Sequence, residues 1–195
     1  MQDTKRLSGK DFITVGIYTA MYIAVFFVFG LLTAIPVVYP FLLFLIPFIC
    51  GIPMMLYYSK IEKFGMLSIT GIINGIFFFF MGYGWYALIA WAIAGIISDI
   101  VLKAGNYKSL KIAMLSYVVY ALGEWGVHAP LFLAGKKYWD NIRISMGDQY
   151  ADMLLKTMPS WMIYASVGIL ALGAICGALL GRKMLKKHFI KAGIV

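Results

Sequence analysis

The chain has 195 residues, a net charge of +9, 63% hydrophobic residues and only 13% charged ones. A soluble domain is about half apolar and roughly a quarter charged, so the composition excludes a water-soluble globule. Two cysteines, Cys50 and Cys176, both inside apolar stretches, exclude a disulfide framework and give no metal-ligand spacing.

A helical membrane span needs about 20 mostly apolar residues. Six stretches qualify in chain order: Phe12 to Ile35, Phe41 to Tyr58, Gly65 to Met81, Trp85 to Leu102, Leu110 to Ala134 and Trp161 to Gly181. The expected fold is all-α and integral to the membrane, a compact six-helix bundle forming one domain over residues 1–195. The first stretch is too long for a signal-peptide core and lacks a small-residue cleavage site after it, so it is read as a span. Its segment GIYTAMYIA sets Gly16, Ala20 and Ala24 four apart on one stripe. Small residues at that spacing let helix backbones approach closely in lipid, either inside the bundle or against another membrane subunit.

The second stretch holds Pro47 and Pro53 and is expected to be kinked or partly broken. Only Gly82, Tyr83 and Gly84 join the third and fourth, which forces a tight antiparallel hairpin. In the fourth, Asp99 lies about one turn from the end and can pair with Lys103 at i+4. The fifth carries GEWGVHAP, with Glu124 and His128 four apart on one helix face and Pro130 just beyond. The connection 135–158 is much longer than the others. It holds Tyr138, Trp139, Asp140, Arg143, Asp148, Tyr150 and Asp152 and is read as a lid, with DQYADMLLKTM as a short amphipathic helix. The last stretch repeats the small-residue spacing with Gly173, Gly177 and Gly181, and a basic tail, 182–195, follows it.

Charge orients the bundle. Lys5, Arg6, Lys10, Lys60, Lys63, Lys103, Lys108, Lys111, Arg182, Lys183, Lys186, Lys187 and Lys191 fall on one side of a six-span chain. Lys136, Lys137, Arg143 and Lys156 fall on the other, all within the long connection. A positive-inside reading places both termini in the cytoplasm and the lid outside. The net charge then reports topology and contact with anionic lipid, with no nucleic-acid role.

Ionisable groups within a span are costly and mark sites by default. Glu124 and His128 can satisfy one another or pair with Tyr117, Tyr120 or Asn74. They can also face an outward-opening pocket. Histidine can ligate a metal or a heme iron, although one histidine and one carboxylate make a thin metal site. Catalysis fits poorly: HExxH and GxSxG are missing, and no nucleophile has a base at motif spacing. His188, the only other histidine, lies in the tail, and no Walker motif is present.

These features resemble the S components of energy-coupling factor (ECF) transporters, and more closely the Trep_Strep (MptE-like) group. The resemblance is carried by LSGKDFITVGIYTAMYIA, GIPMMLYYSKIEKFGMLSITGIINGIFFFF, ISDIVLKAGNYKS and the closing span with its basic tail. It implies a non-enzymatic, substrate-binding membrane subunit of the bacterial cytoplasmic membrane. Its expected partners are a membrane T subunit and two cytoplasmic ATPases that use ATP, and it has no cofactor of its own. Docking on the T subunit falls to Gly16, Ala20 and Ala24, with Gly16 departing from a strict AxxxA. The substrate site falls to Glu124, His128, Trp125, Tyr83, Trp85, Tyr86, Tyr138, Trp139 and Arg143. The expected cargo is a vitamin-like heterocycle or heme, the latter with His128 as axial ligand and Lys136, Lys137 or Arg143 for the propionates. The opening MQDTK lacks the Met-His pair of the nickel and cobalt types. A standalone channel or secondary carrier, or an intramembrane enzyme, are the rival readings.

Overall fold

A computed structural model describes residues 6–185. Lys5, Lys186, Lys187, His188 and Lys191 lie outside the described residues. Among the described residues the chain is helical with no strand: α1 (Gly9–Gly30), α2 (Tyr39–Tyr58), α3 (Met66–Phe78), α4 (Gly84–Ala104), α5 (Leu110–Ala121), α6 (Trp125–His128), α7 (Pro130–Leu133), α8 (Gly135–Met146), α9 (Asp148–Thr157) and α10 (Met162–Met184). Four helical stretches are long and apolar enough to cross a membrane: Gly9–Ala34, Pro36–Tyr58, Met66–Ala104 and Met162–Met184.

The third of these folds back on itself. Gly82 and Gly84 take φ of +100° and +64°, values that L side chains rarely adopt, and they turn α3 into α4. The two helices then pack antiparallel, with Gly71 against Trp91 and Gly95, and Gly75 against Leu88. α2 and α10 run parallel with their backbones in close approach. Gly173 meets Phe44, Gly177 meets Phe48 and Gly51, and Gly181 meets Gly51 and Met55, so any side chain there strikes backbone. The α10 stripe is therefore internal packing. α2 itself is one continuous helix through Pro47 and Pro53, not the broken span its prolines suggested.

The stripe on α1 has the opposite fate. Val15, Tyr18, Thr19, Tyr22 and Phe26 form the buried face, while Gly16, Ala20 and Ala24 point away from the bundle. A Cβ added at Gly16 meets nothing within 4 Å.

At the end of the bundle that gathers the basic residues, Asp11 pairs with Lys63 at 2.6 Å and ties α1 to the α2–α3 turn. Asp99 does not pair with Lys103. Its Oδ2 accepts from the backbone N–H of Gly65 (3.0 Å) and Ser68 (2.7 Å) and from the Ser68 hydroxyl (2.6 Å). It thus caps the start of α3 from a neighbouring helix and satisfies donors that every helix N-terminus leaves open. Lys103 lies instead 5.5 Å from the centre of the Phe64 ring.

Two expectations at the opposite end need correction. The fifth apolar stretch is not one helix: α5 passes through a 3-10 turn at Leu122–Glu124 into the short α6, and Pro130 opens a separate α7. Gly123 and Gly126 lie against Trp91 and against Tyr86, Ala87 and Ala90 of α4 with no space for a Cβ, so this segment packs close to α4. The lid is not a loop with one helix but a hairpin of α8 and α9 turning at Gly147, φ +89°. Ala151 and Leu154 of α9 are buried, and Leu154 joins a cluster with Tyr39, Leu43, Leu131, Met158 and Leu170. The Tyr150 hydroxyl donates to the Thr33 carbonyl at 2.7 Å, and Thr157 donates to the Pro36 carbonyl at 3.2 Å, so the hairpin is strapped to the turn after α1.

Candidate functional site

The broken segment after α5 places Glu124 and His128 in the interior, with relative exposures of 0% and 2%. The rest of the bundle closes around them. Tyr39 of α2 contacts His128, its hydroxyl 3.1 Å from Nδ1. His128 Nε2 stands 3.6 Å from Glu124 Oε1, near enough for an ion pair but outside hydrogen-bond distance. Tyr22 of α1 faces Glu124 without reaching hydrogen-bond geometry.

Buried polar groups are almost always hydrogen-bonded, and each exception asks for a reason. Here most of the exceptions gather: both carboxylate oxygens of Glu124, His128 Nε2, the Tyr22 hydroxyl, Asn74 Oδ1 and Trp91 Nε1 have no hydrogen-bond partner, and Asp99 Oδ1 at the opposite end is the remaining one among the described residues. The rings connect them. Trp91 lies 5.3 Å from Tyr22 and 5.2 Å from Tyr120, and Asn74 donates to the Tyr120 hydroxyl at 2.8 Å. Tyr117 donates to the Pro47 carbonyl. Tyr117 and the Asn74–Tyr120 pair are thus engaged away from Glu124, while the Tyr22 hydroxyl that faces it is unpartnered.

The other expected site residues are scattered around this cluster. Trp125 is half-buried and donates to the Ser166 hydroxyl at 3.1 Å, fixing the wall between the Glu124 segment and α10. Tyr83, Tyr138 and Tyr150 gather around Tyr39 beneath the lid. Burial and the neighbouring Tyr83 and Tyr150 push the Tyr138 phenol up to about 12, so it stays protonated. Arg143 joins α8 to α9 through Asp148 (2.9 Å) and Asp152 (2.7 Å), and these carboxylates raise its pKa. Lys136 pairs with Asp140 at 2.7 Å. Trp85, 65% exposed, stacks edge-on against Phe79, while the Tyr86 hydroxyl reaches only the Leu133 carbonyl at 3.4 Å. These two stand on the rim, away from Glu124.

A surface cleft of about 520 Å³ opens between the lid and the start of α10 and includes Trp139, Leu155, Ile163 and Tyr164. It touches neither Glu124 nor His128, so the polar cluster is closed off from it. Among the described residues no group of three or more His, Cys, Asp or Glu side chains converges as a metal site.

Sequence reasoning missed Tyr22, Tyr39 and Trp91. The signal was weak but present for Tyr22, which sits with Tyr18 and Phe26 on the α1 face opposite the small-residue stripe. Tyr39 and Trp91 are single aromatics in apolar runs, and nothing local separates them from packing residues.

Compared with curated proteins and with solved structures, the chain finds no match in either. The family model described as "Hypothetical bacterial integral membrane protein (Trep_Strep)" matches residues 9–191, nearly the whole chain, which therefore belongs to that bacterial membrane protein family.

Proposed function

We propose that the chain is the substrate-binding S component of an ECF-type importer in the bacterial cytoplasmic membrane. In this reading it crosses the membrane six times with both termini inside. The Gly82 turn divides Met66–Ala104 into two crossings, and α5 to α7 supply another in broken form. The Glu124 cluster holds a small molecule under the α8–α9 lid. A T subunit and two ATPases then drive delivery inward, and the chain itself performs no chemistry.

The observation that carries the proposal is the bare stripe on α1. Gly16, Ala20 and Ala24 leave a shallow groove bordered by Ile13, Ile17, Met21 and Phe27, all more than 40% exposed. Small residues gain in lipid when another backbone packs on them, and among the described residues none packs on this stripe. Heme as cargo draws less support. Two of the basic groups suited to its propionates, Lys136 and Arg143, are paired with lid carboxylates, and His128 Nε2 faces Glu124.

The test is co-purification with a tagged T subunit and its ATPases from cells expressing all partners. Ala20→Trp is expected to abolish recovery of the complex while the variant still inserts and melts like the parent. Recovery at the parental level would sink the docking assignment. Substrate flux in vesicles holding this chain alone would favour the carrier reading instead. Turnover of a substrate by the purified chain, lost in His128→Ala, would favour the enzyme.

A further inference from the structure

The Glu124 cluster also constrains the chemistry of what it binds, and this step rests on reading that cluster as the substrate site. Charge is the first constraint. Among the described buried residues the ionisable acids and bases are Asp99, Glu124 and His128, with no lysine or arginine. Asp99 is occupied by the α3 N-terminus. Glu124 is left with two oxygens that accept nothing, in an interior where an unpaired carboxylate is strongly disfavoured.

Hydrogen-bonding capacity is the second. The unpartnered atoms of the cluster include Asn74 Oδ1, an obligatory acceptor, and the two Glu124 oxygens, which are acceptors when the carboxyl is ionised, beside one obligatory donor, Trp91 Nε1. A ligand bearing two or more N–H donors satisfies the acceptors, and a planar pair of N–H groups matches a carboxylate in bidentate fashion. The aromatic walls are the third. Tyr22, Trp91 and Tyr120 pack directly on one another, ring centroids 5.2 to 5.9 Å apart, so a ligand reaches their faces only when the cluster opens, and aromatic faces attract cations. An anion in the same place would meet the carboxylate with no fixed positive charge to offset it.

We propose that this site takes a small organic cation of the amidinium, guanidinium or protonated aminoheterocycle class, with Glu124 as its counter-ion and the Tyr22, Trp91 and Tyr120 rings as its walls. Because Glu124 and His128 are sealed in the observed state, the cation enters by opening of the lid end, where Tyr39 bridges His128 to the layer beneath α9.

The experiment uses the full chain in lipid nanodiscs and three isosteric probes: benzamidinium, benzamide and benzoate. Binding is read by tryptophan fluorescence and by the shift in melting temperature. Benzamidinium is expected to bind on the order of tenfold or more tighter than benzoate, a difference of about 1.4 kcal/mol per factor of ten. Glu124→Gln should erase that preference, while Glu124→Asp, which keeps the charge, should retain it with weaker affinity. Equal or tighter binding of benzoate, no benzamidinium binding at millimolar concentration, or a preference that survives Glu124→Gln would each overturn the proposal. Failure here is separable from failure of the importer reading. If the cation preference disappears but Ala20→Trp still breaks the complex, only the substrate class is wrong. The reverse pattern condemns the importer reading and spares the substrate class.

Discussion

Asp99 and Glu124 are both fully buried acids on neighbouring segments, and they live in opposite circumstances. One Asp99 oxygen accepts three hydrogen bonds and holds the first turn of α3 in place, while its other oxygen accepts none. Glu124 accepts none, and the aromatic and amide groups around it are themselves left short. The difference teaches how to separate a structural charge from a functional one. A structural carboxylate is surrounded by donors from its own chain, whereas a binding carboxylate keeps its acceptors for something that arrives later. The two small-residue stripes make the same distinction in packing: the α10 stripe is filled by α2, and the α1 stripe is left bare.

The largest effect should come from breaking the filled stripe. Gly177→Leu drives a side chain into the Phe48 backbone, and overpacking of this kind typically costs about 1–3 kcal/mol, more where the obstacle is main chain. The variant is expected to lose folded yield in membranes. Ala20→Trp, a larger insertion on the bare stripe, should leave the melting temperature unchanged. Normal expression of Gly177→Leu would erase the contrast.

The next effect comes from the satisfied acid. Asp99→Asn removes charge from three hydrogen bonds and is expected to destabilise by roughly 2 kcal/mol, seen as a lower melting temperature in detergent or nanodiscs. A smaller loss, about 1 kcal/mol, is expected for Tyr150→Phe, which removes one lid strap. It should also raise protease sensitivity between α8 and α9 and speed ligand exchange. Unchanged protection would mean that the buried apolar face of α9 holds the lid without the strap.

Much of this was readable from residue patterns, though unevenly. The helical class, the α3–α4 hairpin at Gly82 and Gly84, and the placement of Glu124 and His128 in the interior all follow from composition and spacing. Other features escaped because they depend on contacts between distant segments. Whether a Gly stripe is filled or bare cannot be told from its own sequence: Gly16, Ala20 and Ala24 look like Gly173, Gly177 and Gly181 until α2 is seen packed on the latter. Asp99 had Lys103 in the obvious register, yet the open N–H groups of α3 offer more bonds than one exposed ammonium. The prolines of α2 suggested a kink or partial break where a continuous helix survives, and glycines were under-read at Gly123 and Gly126, where the fifth stretch packs close against α4. Tyr22 and Trp91 join the site only because α1 and α4 cross beside α6.

The central claim is that Glu124 is kept for a ligand and not for the fold. Its most direct test is the melting of Glu124→Gln in lipid nanodiscs without added ligand, beside Asp99→Asn as the matched isosteric swap. Replacing a buried carboxyl that accepts no hydrogen bond by a neutral amide should cost nothing or stabilise slightly, within about 1 kcal/mol of the parent. The account predicts an unchanged or raised melting temperature for Glu124→Gln and a clear drop for Asp99→Asn. An equal drop in both variants would mean that Glu124 is as structural as Asp99, and the site reading would be contradicted.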